Sequence, residues 1–146
     1  MSIDRKNVEL FIALIVRTQD PAEVERGFAV FMCRCLEAAR QWMPEFAGAY
    51  LDSASAFWLD GVADVQVLRT GRESCWEYLT AKGSGADVRD KEDAAIRALI
   101  CVLRSGYEVE DSVESFLWFA DMFDRLGGAC ARSFNQYLAQ ALAQAR

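Results

Sequence analysis

The chain has 146 residues, 53% of them hydrophobic and 26% charged, which suits one domain with a real core and excludes a disordered polymer. A formal net charge of −6 and a pI of about 4.7 argue against nucleic acid or an anionic membrane as a direct partner, since both attract basic surfaces. Histidine is absent, which removes the commonest general base, the commonest metal ligand and the usual member of a catalytic triad.

Hydrophobic spacing predicts helices from end to end. The first covers residues 4–17, where VELFIALIV is apolar nearly all round and its β-branched content leaves a strand as the alternative. The run 10–16 follows Asp4 and Glu9 and precedes no small-residue cleavage site, so no export signal is expected. It is too short to span a bilayer, and the chain is expected to be cytoplasmic. After a break at 18–21, Asp20 is a predicted cap, Pro21 fits the first helical turn, and Glu23 completes a D-x-x-E box. A second helix then runs to about Met43, and a third from Pro44 to about Leu59, before Asp60-Gly61.

The fourth helix, 63–81, has Val65, Leu68, Cys75, Trp76 and Leu79 on one face, with Gly71 weakening its middle. Lys82-Gly83-Ser84-Gly85 reads as a loop. A fifth helix, with Asp87, Asp90, Glu92 and Asp93 around its first turns, is apolar on almost every side through AAIRALICVL and is predicted to end at Gly106 as the central buried element. The last helix, 129–143, repeats Phe134, Tyr137, Leu138, Ala141 and Leu142 at helical spacing and holds no charge over 133–144. The expected fold is all-α, a single-domain bundle of six or seven helices over residues 1–146.

The sixth helix, 107–126, is the most informative. YEVEDSVESFLWFADMFDRL contains Glu108, Glu110, Asp111, Glu114, Asp121 and Asp124, with no base before Arg125. At about 100° per residue, Val109, Val113, Phe116, Leu117, Phe119, Ala120, Phe123 and Leu126 form the core arc. Asp111 and Glu114 form a predicted capping box, and Gly127-Gly128 is the predicted stop. Glu110, Glu114 and Asp121 gather on a flank, with Trp118 and Met122 beyond them, away from the core. Trp is enriched among residues that anchor interfaces, so the candidate partner-binding set is Glu110, Asp111, Glu114, Trp118, Asp121 and Met122. The bland alternative is a solvated acidic face with Trp118 packed under a neighbouring helix.

Catalytic kits are missing from the sequence. Five cysteines in apolar surroundings suit buried thiols, and Cys33 and Cys35 at i and i+2 of a helix point apart. No G-x-S-x-G, glycine-rich phosphate loop or basic stripe occurs. All-helical nucleotide pyrophosphohydrolases hold Mg²⁺ with paired carboxylates. The pairs Asp90/Asp93, Asp121/Asp124 and Glu110/Glu114 match that pattern poorly, leaving a Mg²⁺-dependent hydrolase as the minor alternative. No enzyme, cofactor or metal is expected.

A compact acidic helical domain with no catalytic kit and one acidic, aromatic helix resembles the small all-helical immunity proteins that bacteria encode beside antibacterial toxins. The segment RTGRESCWEYLTAKG (69–83), with Trp76 at its centre, is similar to helical segments of such families. The resemblance implies a stoichiometric inhibitor whose acidic flank meets a basic cleft on a toxin, such as a nuclease or nucleotide-modifying domain, with Trp118 as the desolvated anchor. It transfers no binding residue by motif. The competing class is a regulatory module that forms a homodimer through Trp118 or the terminal helix.

Overall fold

The computed structural model describes residues 2–62 and 64–145. Each expected helix forms: α1 (Arg5–Val16), α2 (Pro21–Leu36), α3 (Glu45–Asp60), α4 (Val65–Lys82), α5 (Lys91–Ile100), α6 (Val109–Leu126) and α7 (Gly128–Gln144). No strand occurs among the described residues, so the strand alternative for the first segment is settled in favour of helix. The architecture is an all-α single-domain bundle. No helix is long and apolar enough to cross a membrane among the described residues.

Local chemistry accounts for most boundaries. Asp4 caps α1 by accepting from the Asn7 N–H, and Asp20 caps α2 by accepting from Ala22 and Glu23. The return contact expected from Glu23 does not form, because the Asp20 N–H donates to Thr18 Oγ1. α2 ends at Leu36 and tightens into a 3-10 segment, Glu37–Trp42, instead of staying α-helical to Met43. Arg40 holds that segment against α3, donating to Glu37, to Asp52 at 2.7 Å and to the Gly48 carbonyl.

α5 is the buried centre the sequence predicts, with every residue from Asp93 to Leu103 buried. It stops at Ile100, well before Gly106. Cys101, Val102 and Leu103 donate three residues back, a tightened exit from the helix, and the Val102 carbonyl accepts from the Trp58 indole at 2.8 Å. α5 lies along α6; α2 packs against both α3 and α6, and α1 and α6 against α7. Seven phenylalanine rings fill the junction of α1, α2, α6 and α7, among them Phe28 stacked on Phe116 at 4.7 Å and Phe134 edge-on to Phe31 at 5.3 Å. The N-terminal strap is tied down by the Ile3 N–H on Asp124 and the Asp4 N–H on Asn135. These contacts leave one long face of α6 to solvent.

Candidate functional site: the exposed face of helix α6

The first turn of α6 is set from outside the helix. The Gly106 and Tyr107 N–H groups donate to the Glu25 carboxylate at 2.9 and 2.8 Å, which fixes the entry of the chain. Burial pushes the Glu25 carboxyl up, with the Gly106 N–H opposing. The helix therefore begins at Val109 with Glu108 at the cap position, and no side chain caps it. Asp111 is not the N-cap and the Asp111/Glu114 box does not form. Both acids sit inside the helix and are exposed, where Glu110 and Asp111 favour the first turn through the helix dipole.

Three expectations about side-chain direction are corrected. Met122 is buried, 3% exposed, and belongs to the core. Trp118 is half-buried: its indole stacks on Trp76 at 6.5 Å, and the Arg97 guanidinium of α5 lies within 5.9 Å of it and 5.3 Å of Trp76. Arg97 of α5 thus covers the flank at Trp118, and with Met122 buried as well, the buried arc of α6 is wider than its apolar spacing indicates. Leu117, assigned to the core arc, is 40% exposed. It shares a stripe with Glu110, Glu114 and Asp121 because steps of 4, 3 and 4 residues bring a helix back to about the same angle.

The acids of α6 fall into two groups. Asp121 and Asp124 at the C-terminal end are joined to Arg5 at 2.9 and 3.3 Å. At exposed positions such pairs contribute about 0–1 kcal/mol, and the one guanidinium offsets half of the two carboxylates' charge. Glu110, Asp111 and Glu114 make no ion pair among the described residues. Asp111, Glu114 and Trp118 also line a cavity of about 500 Å³ together with Arg104, Tyr107 and Ser115. The N-terminal half of α6 therefore presents Glu110, Asp111, Glu114 and Leu117 beside an indole edge and a cavity. Leu117 and Arg104 are the residues that sequence reasoning missed. Leu117 was concealed by its hydrophobicity, and Arg104 by lying in a stretch with no periodic pattern.

The remaining acidic pairs have internal partners. The Lys82 ammonium contacts Asp90, Glu92 and Asp93 at 2.8, 2.9 and 2.7 Å. Asp90 also caps α5 through the Asp93 N–H. Among the described residues no His, Cys, Asp or Glu cluster is arranged to hold a metal ion. All five cysteines are free and buried, and burial pushes the thiols of Cys33, Cys75 and Cys101 up to about 12, so they are poor nucleophiles. The segment around Trp76 has packing roles: Cys75 and Leu79 enter the core, Tyr78 donates to Glu92, and Lys82 closes the α4–α5 clamp. The apolar groove between α1 and α7, with Leu10 exposed at its edge, is lined by Leu14 and Leu142. A scan against family models and searches of curated proteins and of solved structures found no significant match to this chain.

Proposed function

We propose that this chain is a non-catalytic protein-binding module, an inhibitor of the immunity-protein kind. It docks a basic partner, a toxin or effector domain, on the N-terminal half of α6. Glu110, Asp111 and Glu114 supply the charge and Leu117 the apolar contact, with the exposed edge of Trp118 beside them. Asp121 and Met122 are outside the docking set, one joined to Arg5 and the other in the core.

The observation that carries this reading is the uncompensated charge. Arg5, Arg40 and Lys82 each draw two or three carboxylates to themselves, whereas Glu110, Asp111 and Glu114, close together on one short stretch of helix, have no ion pair among the described residues, and an exposed leucine lies in their midst. Like charges at i and i+4, as at Glu110 and Glu114, weaken a helix by about 0.2–0.5 kcal/mol. A basic partner would relieve that repulsion and cover Leu117 at once. Complementary charge of this kind raises the encounter rate and selects the partner.

The test is capture from the native lysate with wild-type protein and with the triple variant Glu110→Lys, Glu114→Lys, Leu117→Ala. All three positions are exposed, so the variant is expected to fold. A basic protein held by the wild type and lost by the variant is the expected result. The same protein held equally well by the variant would overturn the reading.

A further inference from the structure

The cavity beside α6 holds both signs of charge without joining them. At its inner end Arg104 has neither a hydrogen bond nor an ion pair among the described residues. Its Nε is buried and unsatisfied, and its guanidinium rests on the Tyr107 ring at 5.3 Å. Arg97, whose Nε is also buried without a partner, at least donates through Nη2 to the carbonyls of Ser84 and Gly85 at 2.9 and 3.1 Å, whereas Arg104 has no such contact among the described residues. Burial, with the charge of Arg72 adding to it, pulls Arg104 below the usual arginine range.

Behind Arg104 lies a chamber of about 10 Å³, room for one water-sized group. Arg104 and Ser115 line both spaces, and the inner one reaches Ser112. Ser112 is 3% exposed and its Oγ has no partner. Buried donors left unmade are rare in native proteins, so this end of the cavity calls for an acceptor. The carboxylates of Asp111 and Glu114 line the same cavity from α6, neither within ion-pair distance of Arg104. A phosphate or other plain anion would meet those acids, and a plain cation would meet Arg104 and Arg72. A molecule bearing both charges satisfies both. The volume lies within the ~300–1,000 Å³ usual for small-molecule sites, and Trp118 and Ile100 give it an apolar wall.

We propose that this cavity binds a free α-amino acid with an apolar or aromatic side chain. Its carboxylate meets the Arg104 guanidinium and the Ser115 hydroxyl, its ammonium meets Asp111 and Glu114, and its side chain lies against Trp118. The site shares Asp111, Glu114 and Trp118 with the docking face, but its test does not rest on that reading, because it uses the isolated chain.

Titration calorimetry on the isolated protein, with each standard L-amino acid as probe, tests it. An apolar or aromatic amino acid is expected to bind, and its N-acetyl and methyl-ester forms, each lacking one charge, to bind at least about tenfold more weakly, roughly 1.4 kcal/mol. Arg104→Leu should abolish binding with the near-ultraviolet circular dichroism unchanged. If that variant does not fold, Asp111→Asn with Glu114→Gln, both at exposed positions, must weaken binding about tenfold. No heat from any amino acid at about 10 mM would overturn the proposal. So would an N-acetyl form that binds as well as the free one, which would indicate a peptide carboxy terminus, or equal binding of inorganic phosphate.

Discussion

A glycine in the middle of a helix costs about 1 kcal/mol relative to alanine, so Gly71 in α4 needs a reason to be there. A Cβ at that position would fall 2.8 Å from Tyr50 Cδ1 and 3.0 Å from its Cγ. The crossing of α3 and α4 therefore depends on the missing methyl. Gly71→Ala is expected to destabilise the fold by about 1–3 kcal/mol in urea denaturation, the range for an overpacked contact. A gain of about 1 kcal/mol, as helix propensity alone would give, would mean that Tyr50 moves aside freely. Sequence marks Gly71 as a weak point in a helix but says nothing of Tyr50, which comes from another element. The same limit applied on α6. Helical geometry put Trp118 and Met122 at the right angle, yet their burial comes from other elements, Trp76 and Arg97 in the case of Trp118. Leu117 was misjudged for the converse reason: its hydrophobicity suggested core, while its angle places it with Glu110 and Glu114.

The junction of α4 and α5 rests on Lys82 and Asp93. Asp93 is fully buried and accepts from Lys82 at 2.7 Å and from the Arg89 N–H at 2.9 Å. Burial alone would raise its pKa, but these contacts outweigh it and hold the carboxyl below the usual value. Burial likewise works against the Lys82 ammonium, yet its hydrogen bonds to Asp90, Asp93 and Glu92 hold it above its usual value. A depressed carboxylate contributes stability above its unfolded pKa of about 3.9 and loses it as pH falls through the lower folded value. Asp93→Ala is expected to cost about 3 kcal/mol near neutral pH, as removing one partner of a buried pair does, and to flatten the loss of stability below about pH 4. An unchanged acid limb in Asp93→Ala would refute this role. The acids around the start of α5 were legible as helix-starting residues, and Asp90 does cap. Lys82 as their shared partner was not, because the loop between them hides the approach. The early end of α5 escaped notice for a similar reason: apolar residues continue through Leu103, but the Val102 carbonyl is taken by Trp58.

Taken whole, the molecule sets three carboxylates that have no ion pair among the described residues close together on one side of α6. The all-α bundle and its seven helices were readable from periodicity, caps and turn residues, since each of these is local. The candidate face was half readable: Glu110 and Glu114 stand exposed as a helical wheel places them, while Asp111, expected as the cap, joins them because the helix starts earlier. The pairing of Asp121 with Arg5 joins residues far apart in sequence and had no local signal. What survives is a compact patch of three carboxylates with Leu117, suited to steer a basic surface into register.

The measurement that bears most directly on this is the association rate of the chain with the basic partner proposed for it, followed by stopped flow across a salt series. Charge steering predicts a rate that falls by about tenfold or more between low salt and about 0.5 M, where the screening length shrinks to a few ångströms. Reversing Glu110 and Glu114 should reproduce that fall at low salt while the melting temperature stays near the wild-type value. A rate indifferent to salt and to both reversals would contradict the assignment of this face.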